Sequence, residues 1–248
     1  MTDEPGPAPV AGPAAEPVLQ LRLLGTCAVL SGGRSVDPGA RQLRLLAALA
    51  LLGRRARGYL GGLLWPGCPD ARALGSLRAA VCGVNHHLPG ALVRDGHDLA
   101  LSPALAVDVH VLRARLTAVA RTEDPVALDA ADLLDPGVPV LLPGWYEDWV
   151  LAEQEQLRGL YVHAAEHAAA LCLAHGYPSR AVRWAEAVRG ADPLRESAVR
   201  LLVCAHLALG NQAAALRDFR RYCAVAVAET GAGPSDELVR LVGPVVRL

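Results

Sequence analysis

DARALGSLRAAVCGVNHHLPGALVRDGHDLAL, residues Asp70 to Leu101, is the stretch whose reading decides the fold. Its first part, Asp70 to Leu88, reads as a helix, with Asp70 placed to cap its N-terminus. Its second part, Ala91 to Arg94 and Asp98 to Leu101 around Asp95-Gly96, reads as a β-hairpin, because Asp-Gly between two apolar runs is a strong turn signal. Just upstream, Pro66-Gly67-Cys68-Pro69 separates this helix from a helical stretch at Arg57 to Trp65. Before that, Leu43, Leu46, Ala47, Ala50 and Leu51 share one face of a helix that opens at Ala40 and stops at Gly53. Further back, Leu19 to Leu24 and Cys27 to Leu30 read as short strands broken at Gly25. Ser31-Gly32-Gly33 turns into a third at Arg34 to Asp37. Strands, three helices and a hairpin in that order make a winged helix-turn-helix with a small sheet ahead of its first helix. In such folds the helix before the hairpin enters the DNA major groove and the hairpin touches backbone or minor groove.

Charge agrees with that assignment. The 248 residues carry a formal net charge of -1, and all 24 cations are arginine. The neutral total hides a segregation. Residues 1 to 18 hold Asp3, Glu4 and Glu16 and no base. Leu19 to Leu116 hold 12 Arg against five Asp, and the remainder holds 12 Arg against 17 acids. The blocks are therefore -3, +7 and -5. The basic block coincides with the winged helix, as attraction to phosphates requires. The start, with five prolines in 18 residues, reads as a solvated tail with no leader. The longest apolar run, Leu45 to Leu52, is far short of a membrane span. Six cysteines without CxxC spacing point to reduced thiols in a cytosol. With 52% hydrophobic residues the chain has ample core.

The back half reads as helical throughout. Helices are expected at Trp149 to Ala174, Pro178 to Val188, Pro193 to Leu209, Gln212 to Glu229 and Pro234 to Val242. Gly176 and Gly210 are 34 residues apart, as are Ala181 and Ala215, Arg183 and Arg217, and Leu173 and Leu207. That is the tetratricopeptide period, and stacked helix pairs of this kind form concave protein-binding surfaces. The fold class is thus mainly α with a small β component. A tail (1–18) precedes a winged helix-turn-helix (19–103) and a TPR-like all-α repeat domain (104–248).

Taken together, the parts resemble the Streptomyces antibiotic regulatory protein (SARP) family, which joins an OmpR-type winged helix to a bacterial transcriptional activation domain. The resemblance runs over about residues 19 to 243. In the back half it is carried by LLPGWYEDWVLAEQEQLR (Leu141 to Arg158), ADPLRESAVRLLVCAHLALGNQAAALRDFRRY (Ala191 to Tyr222) and GAGPSDEL (Gly231 to Leu238). In the front half LRLLGTCAV, RQLRLLAALAL, LLWP and ALVRDGHDLAL carry it. The resemblance implies a cytoplasmic, nucleoid-associated transcription regulator, usually an activator of an antibiotic-type biosynthetic gene cluster. Such a protein binds promoter direct repeats and contacts RNA polymerase including its sigma subunit. A homodimer is a further expected partner; a membrane, a metal and a cofactor are not expected.

By the same resemblance Gly75 to Leu88 forms the recognition helix, where relatives carry a threonine and several arginines. Arg72, Ser76, Arg78, Asn85 and His86 are the expected recognition face, Arg94 the wing contact, and Arg57 a phosphate anchor beside Arg54 and Arg55. Ser76 can replace the threonine hydroxyl, and Arg78 can grip a guanine edge or a phosphate. Gly75 and Gly83 each cost about 1 kcal/mol of helix stability relative to alanine. DNA affinity of the isolated chain is expected to be low and to depend on dimerisation or a partner. The alternative is a protein-interaction adaptor whose winged helix no longer binds DNA specifically.

Three other features have a functional and a structural reading. His163-Ala164-Ala165-Glu166-His167 has the HxxEH form of inverted zinc peptidases, yet no third ligand can be assigned, and a packed helix is expected. Trp145, Tyr146 and Trp149 could line an effector pocket but are expected to anchor the first long helix. Cys82 is expected to be a packing residue, and His86-His87 a solvated helix end. No phosphate-binding loop or nucleophile elbow is present, so the chain is not expected to be an enzyme.

Overall fold

The computed structural model describes residues 19–128 and 140–246. The expected tail lies outside the described residues. The chain divides into two units, Met1–Leu23 with Cys27–Asp108, and Leu24–Thr26 with Val109–Leu248.

The first unit begins with β1 (Leu19–Arg22), β2 (Ala28–Ser31) and β3 (Arg34–Val36), paired antiparallel with Leu21 opposite Val29 and Val29 opposite Val36. Three helices follow: α1 (Ala40–Leu52), α2 (Arg57–Leu64) and α3 (Asp70–His87). The unbroken apolar run Leu45–Leu51 of α1 is buried in full, which makes α1 the central helix of the unit. A two-residue strand, β4 (Arg55–Ala56), joins β5 (Leu92–Asp95) and β6 (Asp98–Leu101) in a three-stranded wing ordered β4-β6-β5. The arrangement is a winged helix-turn-helix.

Several sequence expectations are corrected in detail. Asp70 is the first helical residue of α3, not its cap; Pro69 precedes it, and Asp70 instead places an anion against the positive end of the helix dipole. The hairpin is shifted by one residue. Asp95 pairs with Asp98, so the turn is Gly96-His97, and Gly96 supplies the positive φ of +56° that its first position needs. Two strands were not legible at all, β4 and the one that follows the wing. β7 (Leu105–Val107) runs parallel to β1, with Leu21 opposite Val107, and completes a sheet ordered β3-β2-β1-β7. Beyond it the backbone N–H of Leu23 donates to both carboxylate oxygens of Asp108 at 2.9 Å. Burial, with the Asp108 charge added, pushes the nearby Cys27 thiol up to about 11, so it stays protonated and unreactive at neutral pH.

The second unit contains α4 (Asp108–Val119), a 3-10 turn (Val126–Leu128), α5 (Asp148–Ala174), α6 (Pro178–Ala191), α7 (Glu196–Ala208), α8 (Gln212–Thr230) and α9 (Asp236–Val246). Helices α5 to α8 pack each on the next, and α9 closes on α7 and α8. The 34-residue period is physical. Helix α5 ends with Tyr177 N bonded to Cys172 O (2.8 Å) and Gly176 N to Leu173 O (3.2 Å); α7 ends with Asn211 N to His206 O (2.8 Å) and Gly210 N to Leu207 O (3.0 Å). Gly176 and Gly210 hold φ of +79° and +71°, the left-handed conformation this helix stop requires. Ala181 and Ala215, at matching positions on the return helices, are fully buried, as close helix crossing demands.

The helices expected to open at Pro193 and Pro234 start later, at Glu196 and Asp236. One carboxylate explains the second. Glu196 accepts from Ser235 N (2.9 Å) and Tyr222 Oη (3.3 Å), and the Ser235 hydroxyl donates to its other oxygen while accepting from Leu238 N (3.3 Å). Ser235 therefore caps α9. Burial alone would raise the Glu196 carboxyl, but the Ser235 and Tyr222 bonds and the Arg200 charge hold it below the ordinary glutamate value. Glu166 is held low in the same sense: its burial is outweighed by bonds to Arg195 and Ser197 and by the charges of Arg195 and His163. A folded-state pKa below the unfolded value of 4.5 adds stability above that pH and loses it as pH falls through the folded value. The second unit is thus expected to lose stability on acidification below about pH 4.5, and Glu196→Gln to flatten that loss, as urea denaturation at a series of pH values will read.

Candidate nucleic-acid interface

Helix α3 buries Ala73, Leu77, Ala80, Val81 and Val84. At 3.6 residues per turn the opposite ridge is Arg72, Gly75, Ala79, Cys82 and His86, and every one of these is exposed. Arg78 and Asn85, seven apart, lie along one flank of the ridge, while Ser76 and Gly83 lie along the other. Arg78 is exposed and its Nε donates back to Leu74 O at 3.3 Å, leaving the end of the guanidinium free to reach outward. Ser76 and Asn85 are half-buried. Cys82 is exposed, which overturns its expected packing role: it occupies the ridge itself. His86 and His87 are both exposed, with the His87 ring bonded to Gly83 O at 2.9 Å, the solvated helix end that was expected.

The two glycines of α3 differ. A Cβ on Gly75 would meet nothing within 4 Å, so Gly75→Ala is expected to stabilise the protein by about 1 kcal/mol in chemical denaturation. A Cβ on Gly83 would lie 2.2 Å from the terminal amide of Gln42 and 3.2 Å from its Cγ. That amide donates to Pro38 O (2.9 Å) and Gly39 O (3.3 Å), so Gly83 gives up a polar side chain to let α1 approach.

The wing carries the other cations. Arg55, Leu99 and Arg94 stand side by side across β4, β6 and β5, which puts both arginines on one sheet face with buried Leu99 between them. The Arg55 guanidinium lies 5.8 Å from the centre of the Tyr59 ring, and Tyr59 is 51% exposed. Arg57, half-buried, opens α2 and its backbone N–H donates to His97 O (3.1 Å), tying helix to wing turn. Arg54 pairs with Asp95 at the surface, both side chains being exposed. The basic block also shrinks. Arg113 and Arg115 belong to the second unit, and residues 19 to 108 hold ten arginines and five aspartates, a formal +5.

The HxxEH side chains diverge. His163 is exposed; Glu166 takes two bonds from Arg195 (2.7 and 3.0 Å); the His167 ring bonds Thr122 O at 2.8 Å. A glutamate held anionic by an arginine is a poor general base, and no three metal-ligating side chains cluster among the described residues. Trp145 and Trp149 meet edge to face at 6.4 Å, whereas Tyr146 is 79% exposed and does not join them. A cavity of about 340 Å³ lies among Arg189, Val199, Asp218, Arg221 and Tyr222; Arg189 there bonds Asp218 at 2.5 Å, and Asp218 also faces His206 at 3.3 Å. Among the described residues no helix is long and apolar enough to cross a membrane.

No curated protein matches this sequence. Among solved structures the chain is similar to Mycobacterium tuberculosis EmbR, determined in complex with a low affinity phosphopeptide, with a TM-score of 0.73 and 22% identity. The match covers 93% of this chain and 65% of EmbR, so this chain spans just under two thirds of that one; the likeness is one of fold. The repeat unit α5–α9 has a sequence counterpart as well: the family model of the bacterial transcriptional activator domain matches residues 107–245. That span is more than half of the 248 residues, and the chain belongs to the bacterial transcriptional activator domain family.

Proposed function

We propose that the chain is a DNA-binding transcription regulator of the Streptomyces antibiotic regulatory protein kind, an activator of a biosynthetic gene cluster. In this reading the OmpR-type winged helix (19–103) lays α3 into the major groove of promoter direct repeats. The helical domain (104–248) contacts RNA polymerase, including its sigma subunit, from the cytoplasmic nucleoid. A homodimer would place two such units on two repeats. One observation carries the proposal: a third helix with an exposed face, in the block of residues 19 to 108 with formal charge +5, is continuous in one chain with a bacterial transcriptional activator domain. Arg72, Ser76, Arg78, Asn85 and His86 take the recognition face, with Arg57 and Arg94 on the backbone. No cofactor or metal takes part, and no reaction is catalysed.

A mobility-shift assay of the full chain on DNA upstream of its own gene tests this. With Arg54, Arg55, Arg57, Arg72 and Arg94 all available to phosphates, affinity should fall on the order of 500-fold between 50 and 200 mM salt. A salt-independent complex, or none at 50 mM, contradicts it. The second reading, an adaptor with a winged helix that has lost specific DNA binding, is favoured by the ridge of α3, where Gly75, Ala79 and Cys82 stand between Arg72 and His86.

A further inference from the structure

The cavity of the second unit lies between α6 and α8, and its charges stand in two tiers. At the inner one Arg189 of α6 bonds Asp218 of α8 at 2.5 Å, and Asp218 also faces the His206 ring at 3.3 Å, so these groups are already partnered. Buried Val199 of α7 and half-buried Val225 of α8 supply an apolar wall. Tyr222, whose hydroxyl is turned to Glu196, adds its ring. The outer tier is open. Glu186 of α6 is exposed and comes no nearer to Arg189 than 3.6 Å, while Arg221 of α8 is exposed and has no ion-pair partner among the described residues. Gly190 lines the cavity without a side chain, and nothing lies within 4 Å of the position its Cβ would take.

The charged side chains around the cavity, two guanidinium groups and two carboxylates, sum to zero. A net anion would meet Glu186 and Asp218 as well as the arginines, and a net cation the reverse. A molecule that carries both charges on an apolar body finds a partner for each. At about 340 Å³ the cavity stands at the lower end of small-molecule sites. We infer that it binds a small organic zwitterion, an amino acid with a large apolar side chain or a short apolar peptide. Its carboxylate pairs with Arg221, whose guanidinium can hold both oxygens, and its ammonium with Glu186. Its apolar part packs on Val199, Val225 and the Tyr222 ring. Occupancy would tie α6 to α8 at a second point, beyond the Arg189–Asp218 bond. The inference stands on the activator-domain unit alone and is independent of the DNA-binding reading.

The test is isothermal titration of the full chain with leucine, phenylalanine, tryptophan and the dipeptide leucyl-phenylalanine. At least one should bind in one-to-one stoichiometry. Its amide, which lacks the carboxylate, and its N-acetyl derivative, which lacks the ammonium, should each bind at least about tenfold more weakly, as should the parent ligand to Arg221→Ala and to Glu186→Ala. Gly190→Leu, which leaves every charge in place and puts a side chain into the cavity, should abolish binding. All three positions are exposed, so the variants should fold as the parent does, which circular dichroism checks. If none of the four compounds binds, the inference is overturned. It is overturned equally by binding that the three substitutions leave unchanged, and by an N-acetyl derivative that binds as well as the free amine, which would make the site one for simple carboxylates.

Discussion

Replacing Arg78 and Arg94 together by alanine is expected to abolish promoter-specific binding by this protein while leaving it folded. Both side chains are exposed, so the substitutions should move stability by no more than about 0.5 kcal/mol. A guanidinium that bonds a guanine edge discriminates by about 1 to 3 kcal/mol, so Arg78→Ala should weaken specific binding by roughly 5- to 150-fold. Arg94→Ala should act differently. As a phosphate contact on the wing it should weaken all duplexes alike and lower the slope of log K against log salt by about 0.9. Titrations on specific and scrambled duplexes at three salt concentrations separate the two effects, and transcription from the target promoter in cells should fall with them. If promoter output is unchanged in the double variant, the adaptor reading replaces the DNA-binding one.

The largest effect on stability is expected at Leu202. It is fully buried in α7, the helix that packs against α5, α6, α8 and α9. Leu202→Ala should cost about 2 to 5 kcal/mol through lost burial and the cavity left behind. Leu209, 45% exposed at the end of the same helix, is the control: its alanine variant should lie within about 0.5 kcal/mol of the parent. Urea denaturation followed by far-ultraviolet circular dichroism reads both.

The elements legible in the sequence are those whose residues act locally. Apolar periodicity located α1 and α3, and the repeated Gly176 and Gly210 located the helix ends, because a left-handed helix stop constrains the residue that makes it. What escaped depends on distant partners. β4 and β7 are two and three residues long and exist because β6 and β1 offer them a ladder, which no window of sequence contains. The start of α9 slipped from Pro234 to Asp236 because Glu196, 39 residues upstream, holds Ser235 in the capping position.

Along α3, the sequence weighted the candidate residues by chemistry alone. Exposure sorts them differently. Arg72 and His86 stand on the ridge, Arg78 and Asn85 on one flank, and Ser76 on the other beside Gly83. Gly83, read from sequence only as a cost in helix stability, is a packing site against Gln42. Arg54, expected as a phosphate anchor, also forms a surface ion pair with Asp95. Cys82, assigned to packing, faces solvent, because in an 18-residue helix one residue of rotation decides between core and ridge.

The parallel pairing of β7 with β1 also sets a timetable for synthesis. Leu23 and Asp108 are bonded across 85 residues, so the first sheet to leave the ribosome cannot close until its last strand has been made. At cellular translation rates of about 5 to 20 residues per second, β1 waits roughly 4 to 17 s with one edge unpaired. During that interval the complete helix-turn-helix has already emerged. The nascent unit therefore holds three strands and its helices before the fourth strand of the sheet, and the strand that finishes it is the one that leads into the activator domain.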